Sequence, residues 1–350
     1  MSVWENNVRK VVPYVPGEQP KGKGLIKLNT NENPYGPSPR VKEKALMLDD
    51  LRLYPDPAVT DLVDALAAYH GVKREQVFVG VGSDDVLAMA FMTFFNGETP
   101  ILFPDITYSF YDVWAELFKI PYERVPVDAA YRIVAADYKK KNGGIVFPNP
   151  NAPTGIVEPL SFIREILDAN PDVVVIVDEA YIDFGGESAL ALLDEYENLL
   201  VVRTFSKSRS MAGLRIGYAI GNEKLIKYMS DVKYSYNSYT MNRPSILLGV
   251  ESIADEDYFR ETVEKVKKTR EWFSNKLKEL GFTVLPSAAN FVFASHERVA
   301  AKEIFAKARE QGVIVRYFDK PRIDNFLRIS VGTDEEMEKC VEVFQKIVNK

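Results

Sequence analysis

Residues Val173–Tyr181 read VVVIVDEAY, an all-aliphatic run closed by Asp178, Glu179, Ala180 and Tyr181. An unbroken β-branched run of this length suits a strand buried on both faces, because a strand with one wet face would alternate with polar residues. An aspartate ending such a strand is partly buried and needs a partner: a cationic ring nitrogen, or Arg203 or Arg215 in an ion pair. Runs of the same kind recur on either side, at Val77–Val81, Pro100–Phe103, Tyr122–Val127, Gly144–Phe147, Leu199–Arg203 and Ile216–Ile220. Helix-period stretches such as Asp112–Lys119 and Pro159–Ala169 separate several of them. The alternation predicts an α/β fold, with a mostly parallel seven-stranded sheet covered by helices on both faces.

Beyond Tyr239 the pattern changes. Leu247–Gly281 is charge-rich with a helical period, which predicts one long helix or two. Short strand candidates follow at Phe282–Leu285, Asn290–Ala294, Val313–Arg316 and Phe326–Ser330, with helices expected over Ala301–Gln311 and Glu335–Asn349. This is a smaller α+β C-terminal domain. Near the other end, Pro13, Pro16, Pro20, Pro34, Pro37 and Pro39 interrupt regular structure, so an irregular arm is expected to pack on the small domain or on a neighbouring subunit. The expected division is an arm over 1–40, a large domain over 41–245 and a small domain over 246–350.

The composition narrows the chemistry. With 350 residues, 46% hydrophobic and 27% charged, the chain is an ordinary globular one of about two domains. Its 44 basic and 50 acidic residues give a net charge of −6, which argues against nucleic acid or an anionic membrane as partner. A single cysteine, Cys340, allows no internal disulfide and no thiolate metal centre, and two histidines, His70 and His296, leave little for imidazole chemistry. No metal is expected. No run reaches about 18 apolar residues, and Glu5, Arg9 and Lys10 interrupt the first twenty, so neither a signal peptide nor a membrane span is expected. The expected location is the cytoplasm.

In open α/β sheets ligands bind outside the carboxyl ends of strands, so the residues just past each run carry the functional information. Gly82-Ser83-Asp84-Asp85 opens an apolar helix; Ser83 is a natural N-cap, and free N–H groups at a helix start attract anions. Tyr108 follows the next strand and could stack on a flat ring. Pro148-Asn149-Pro150-Asn151-Ala152-Pro153-Thr154-Gly155 is stiffer than a plain connection needs. After Leu199–Arg203 comes Thr204-Phe205-Ser206-Lys207, with Arg209 and Arg215 close behind. A lysine hemmed in by serines at a strand end points to a nucleophile or base rather than a solvated tip.

Taken in order, these residues resemble the pyridoxal-phosphate-dependent aminotransferases of fold type I, class I/II, and within them the histidinol-phosphate aminotransferase family. The resemblance runs from Asn29-Thr30-Asn31-Glu32-Asn33-Pro34-Tyr35-Gly36 to Leu327-Arg328-Ile329-Ser330-Val331-Gly332-Thr333, and includes Ser206-Lys207 followed eight residues on by Arg215. It implies pyridoxal 5′-phosphate as cofactor, held by Lys207 as an internal aldimine, with Lys207 then shuttling the proton. Asp178 would pair with the ring nitrogen, Tyr181 and Asn151 with the ring's phenolic oxygen, and Tyr108 would stack on the ring. The Gly82-Ser83-Asp84 turn, Thr204, Ser206 and Arg215 would hold the phosphate. Many relatives carry Asn immediately before Pro-Thr-Gly where this chain has Ala152, which leaves Asn151 as the candidate.

Tyr54 matches a residue that in the family reaches the opposite subunit's cofactor phosphate, which implies a homodimer with shared active sites. Arg328 matches the arginine that grips the substrate's anionic end, helped by Arg316; Tyr14, Asn29 and Asn290 would complete the substrate pocket. The resemblance implies amino-group transfer between L-histidinol phosphate and 2-oxoglutarate in histidine biosynthesis. An aromatic or broad-specificity amino-acid aminotransferase, and a pyridoxal-phosphate decarboxylase of a phosphorylated amino acid, share the same scaffold. A ligand-binding protein without covalent chemistry would need neither Lys207 nor Asp178.

Overall fold

The computed structural model describes residues 3–22, 24–49 and 51–349, so Met1, Ser2 and Lys350, which fall in the expected arm and small domain, lie outside the described residues. All seven expected strands form, as β1 Val77–Gly80, β2 Ile101–Pro104, β3 Tyr122–Val125, β4 Ile145–Pro148, β5 Val175–Asp178, β6 Leu199–Thr204 and β7 Gly217–Gly221. They make one seven-stranded sheet in the order β1-β7-β6-β5-β4-β2-β3. Only β7 runs against the rest, pairing antiparallel with both β1 and β6.

Side chains alternate between two cores as the period of two requires. In β5, Val175 and Val177 join Ile163, Ile166 and Tyr138 on one face, while Ile176 joins Phe91, Tyr111 and Trp114 on the other. Both faces are covered, which is why these strands read as unbroken apolar runs. The register aligns Pro148 with Asp178 and Asp178 with Val202, so β4, β5 and β6 end on a common rim. Because β7 is reversed, its first residue Gly217 reaches the same rim, paired with Thr204 and Gly80.

The small domain has its own core around Phe273, Val292, Ile304, Ile329 and Phe344. Its sheet comprises β8 Phe282–Val284, β9 Phe291–His296, β10 Arg316–Tyr317 and β11 Leu327–Ser330, in the order β10-β11-β9-β8. The expected strand over 313–316 is divided: Val313–Ile314 pairs in parallel with Ile26–Lys27 of the arm, and only Arg316–Tyr317 enters the sheet. The arm is thereby fastened to the small domain, and Leu28 is buried in that domain's core.

The charge-rich stretch resolves into two helices, Arg243–Ala254 and Glu256–Glu279. The division expected at 245/246 falls inside the first, whose Ile246, Leu248 and Ile253 are buried with Val41, Leu62 and Ile216 of the large domain. Neither histidine lines the cavity at the sheet's carboxyl rim. His70 is bonded to the Tyr218 hydroxyl at 2.9 Å, and burial holds its pKa down at about 3; His296 faces the Leu280 carbonyl.

Candidate active site

A cavity of about 200 Å³ opens at the carboxyl rim, between the sheet, the small domain and the arm. Its floor is Asp178, buried at the end of β5. Tyr111 donates to Asp178 Oδ2 at 2.9 Å, and the Ala180 N–H donates to Oδ1 at 3.2 Å. These bonds favour the carboxylate, yet burial outweighs them and pushes the carboxyl up to about 7. Both arginines available as partners are engaged elsewhere. Arg203 pairs with the buried Glu179 at 2.9 Å, and Arg215 with Asp84 at 3.1 Å. Asp178 therefore has no cation paired to it among the described residues.

Beside it, Lys207 follows the end of β6 and projects into the cavity. Its Nζ donates to the Thr30 carbonyl at 3.3 Å and stands 5.7 Å from the centroid of the Tyr181 ring. No carboxylate among the described residues lies within ion-pair distance of it. Its backbone is tied down by Asn33, whose amide donates to the carbonyls of Lys207 and Ser208 at 3.0 and 3.2 Å.

The helix Ser83–Phe94 points its start at the same space. Ser83 is not the N-cap expected from the sequence: Gly82 takes that position at φ 84°, and no side chain caps the turn. The reason is steric. A Cβ on Gly82 would lie 2.4 Å from Arg215 Nη2, and one on Gly217 would lie 2.2 Å from the Ser83 nitrogen. Gly82 does not itself line the cavity; its role is to admit Arg215, while Ser83 and Asp84 line the wall. Thr204, Ser206 and Arg215 complete this corner, with Arg215 donating to Ser206 Oγ at 3.3 Å. A helix start, two hydroxyls and a guanidinium make an anion site.

Tyr108 forms one side wall, its hydroxyl donating to Asp84 at 2.8 Å, and burial raises its pKa. Tyr14 of the arm leans over it, stacked on Phe110 with centroids 4.0 Å apart. Across the cavity stand Arg316 and Arg328. Arg328 is flanked by Phe291 and Phe318 at 5.5 and 5.6 Å, and its Nη2 donates to the Asn29 carbonyl at 3.1 Å. Its Nε is buried without a partner, and burial pushes its pKa below the usual arginine range. Asn29 lines the cavity too, with its Oδ1 buried and unpartnered.

Besides Gly82, three sequence-derived residues stand apart from this cavity. Asn151 is a correction: its amide donates to the Ile106 carbonyl at 2.9 Å and accepts from Thr107 at 3.0 Å, so its polar atoms brace the loop before Tyr108. Ala152, not Asn151, faces the cavity. Asn290 is fully buried; its amide donates to the Asn31 carbonyl at 3.0 Å, and its Oδ1 has no partner. Tyr54 is 81% exposed and packs on Tyr239, away from this chain's own cavity. Conversely, Tyr111, Phe318 and Asn31 belong to the site and escape the strand-end reading. Tyr111 lies one helical turn past Tyr108, and Asn31 sits inside the Asn29–Gly36 motif.

The residues fit pyridoxal phosphate: a buried carboxylate with no cation paired to it among the described residues, an uncapped helix start beside hydroxyls and a guanidinium, and a lysine with no carboxylate at ion-pair distance among them. The comparisons agree. The model of the family "Aminotransferase class I and II" matches residues 23–344. A histidinol-phosphate aminotransferase of Clostridium botulinum (strain Okra / Type B1) is 51% identical over 349 residues, 99% of each chain. Histidinol-phosphate aminotransferase 1 of Pseudomonas aeruginosa is 54% identical over 341 residues, 97% of each. In fold, the chain matches the crystal structure of the Sinorhizobium meliloti histidinol-phosphate aminotransferase in complex with pyridoxal-5′-phosphate, with a TM-score of 0.83, 23% identity, and 92% and 90% of the two chains covered. Cavity and comparisons together place the chain in the class I and II aminotransferases, the pyridoxal-phosphate-dependent transaminases of fold type I.

Proposed function

We propose that the protein moves an amino group between L-histidinol phosphate and 2-oxoglutarate, giving imidazole-acetol phosphate and L-glutamate in histidine biosynthesis. The observation that carries the substrate is the arginine pair. Arg316 and Arg328 face the cavity, and neither has a carboxylate partner among the described residues. Two uncompensated guanidiniums suit a phosphate dianion better than a single carboxylate, and they serve the distal carboxylate of 2-oxoglutarate in turn. The relatives at 51% and 54% identity carry the name of this activity.

The cavity walls support one division of labour. Asp178 would hold a cationic ring nitrogen, and the Ser83–Asp84 turn, Thr204, Ser206 and Arg215 would hold the cofactor phosphate. Tyr108 would cover the ring face, and the Tyr181 hydroxyl would support the ring oxygen. Bound there, pyridoxal phosphate supplies the electron sink that makes the hydrogen beside the substrate amine acidic. Lys207 Nζ takes that proton from the substrate carbon. Tyr14, lining the cavity from the arm, would close over the substrate and keep water from the reacting carbon.

The active unit is a homodimer in the cytoplasm, with Tyr54 of each subunit completing the other's phosphate site. Support comes from exposed apolar side chains close to it in the chain: Leu46, Met47, Leu51 and Tyr54 are all largely uncovered in the single chain. No helix among the described residues is long and apolar enough to cross a membrane.

The test is a steady-state assay of glutamate formation from 2-oxoglutarate with three donors: L-histidinol phosphate, L-histidinol and L-phenylalanine. The proposal expects kcat/KM for the phosphorylated donor to exceed both others by about a hundredfold or more. A preference for phenylalanine would contradict it.

A further inference from the structure

Asn31 is not among the residues with an assigned task, yet it touches the hydroxyl of Tyr181. Its Nδ2 donates to that oxygen at 2.9 Å, and it lines the cavity while only 1% exposed. The amide's orientation is fixed from the other side. Ser330 Oγ accepts the Asn31 backbone N–H at 2.8 Å and spends its single hydrogen on Asn31 Oδ1 at 3.0 Å. With Oδ1 so occupied, the nitrogen faces Tyr181. Asn290 secures the Asn31 carbonyl at 3.0 Å, and Asn31 itself sits at φ 54°.

A phenol whose oxygen accepts from an amide cannot also donate to it. Its hydrogen must turn to the remaining open side, which is the cavity. We infer that Asn31 is a positioning residue that aims the Tyr181 hydroxyl hydrogen at the cofactor's ring oxygen, and that the small domain, through Ser330 and Asn290, holds it in that attitude. This rests on the pyridoxal-phosphate reading of the site. With Asn151 turned to the Ile106–Thr107 loop and Ala152 in its place at the wall, Tyr181 is the ring oxygen's side-chain donor, so its direction matters more.

The inference has a sharp variant. Asn31→Asp keeps shape and left-handed backbone, which Asn, Asp and Gly adopt readily, but replaces the donor with an acceptor. The tyrosine hydrogen then turns to the new carboxylate and away from the cofactor. Asn31→Gly removes the donor without adding charge.

The measurement is the pH midpoint of the bound cofactor's visible colour change in the holoenzyme. Losing a hydrogen bond to the ring oxygen disfavours its anionic form, so the midpoint should rise. Asn31→Asp is expected to raise it by about one unit, comparable with Tyr181→Phe, and Asn31→Gly by less in the same direction. The Asn31→Asp/Tyr181→Phe double variant should move no further than Tyr181→Phe alone, because the two act through one hydrogen. An unchanged midpoint in Asn31→Asp, or a full extra shift in the double variant, overturns the inference while leaving the cofactor reading intact. A wild-type protein that takes up no coloured cofactor overturns that reading, and this inference with it.

Discussion

Tyr111 donates its hydroxyl hydrogen to Asp178 Oδ2 at 2.9 Å, and both side chains are buried beneath the cavity floor. The bond reserves one carboxylate oxygen and fixes the plane in which the group meets whatever comes from above. It does not neutralise the charge. Burial still holds the carboxyl up at about 7, so the protein keeps a costly acid ready for a cation it does not supply.

That cost has a sign that can be measured. In cofactor-free protein the Asp178 pKa lies above its ordinary 3.8, so the folded state holds the proton more tightly than the unfolded state. Stability therefore falls as pH rises through the window from 3.8 to about 7. Asp178→Asn removes the liability. Cofactor-free Asp178→Asn should outmelt the wild type at about pH 8, by at most ~4 kcal/mol, with the gap nearly closed by about pH 4. Thermal melts across that range check it; a gap independent of pH would contradict it.

Lys207 makes one side-chain hydrogen bond, to the Thr30 carbonyl at 3.3 Å, so the fold gains little from it. Lys207→Ala should keep the wild-type circular dichroism and melting temperature while turnover drops by more than about a thousandfold. Borohydride reduction followed by mass measurement should attach cofactor to the wild-type chain and not to this variant. Retained turnover would end the mechanism.

Arg328 lies buried against two phenyl rings with no carboxylate partner among the described residues. Replacing it by methionine should leave the cofactor-free fold at least as stable, because an uncompensated buried charge is removed. The same variant should raise KM for L-histidinol phosphate about tenfold to a hundredfold, the worth of a charge-assisted hydrogen bond. L-histidinol should be far less affected; equal loss for both donors would contradict the assignment.

Tyr54 gives a test of the shared site. Tyr54→Phe should weaken retention of the cofactor without touching Lys207, so either single variant is impaired throughout. Mixing Tyr54→Phe with Lys207→Ala subunits should restore activity towards a quarter of wild type, since in a mixed dimer one site carries both defects and the other carries neither. Mixtures no more active than their parents would exclude a site built across the interface.

Much of the fold is legible in the sequence because both faces of the sheet are covered, and covering leaves an unbroken aliphatic run for each strand. Asp178 and Lys207 stand out for the same reason, as charges placed where such a run stops. Other members of the site do not announce themselves. Which of Asn151 and Ala152 faces the cavity depends on the backbone path of one loop, and the loop gives Asn151 to the Ile106 carbonyl. Tyr111 reads as a core aromatic on a helix, and only the fold brings it under β5. Asn31 acquires its orientation from Ser330, 299 residues further along the chain, a contact no local pattern encodes. The expected Ser83 cap fails because the helix starts one residue earlier, with Gly82 at the cap position where Arg215 leaves no room for a Cβ.

Lys207, Asp178 and the arginine pair are proposed to form one transaminating site for a phosphorylated amine. The most direct test is the absorption spectrum of purified holoenzyme before and after L-histidinol phosphate is added with no oxo acid present. The account predicts that the visible band of the lysine-bound cofactor collapses to the near-ultraviolet band of its amine form, and returns when 2-oxoglutarate follows. A band that persists with this substrate but collapses with phenylalanine would contradict the claim.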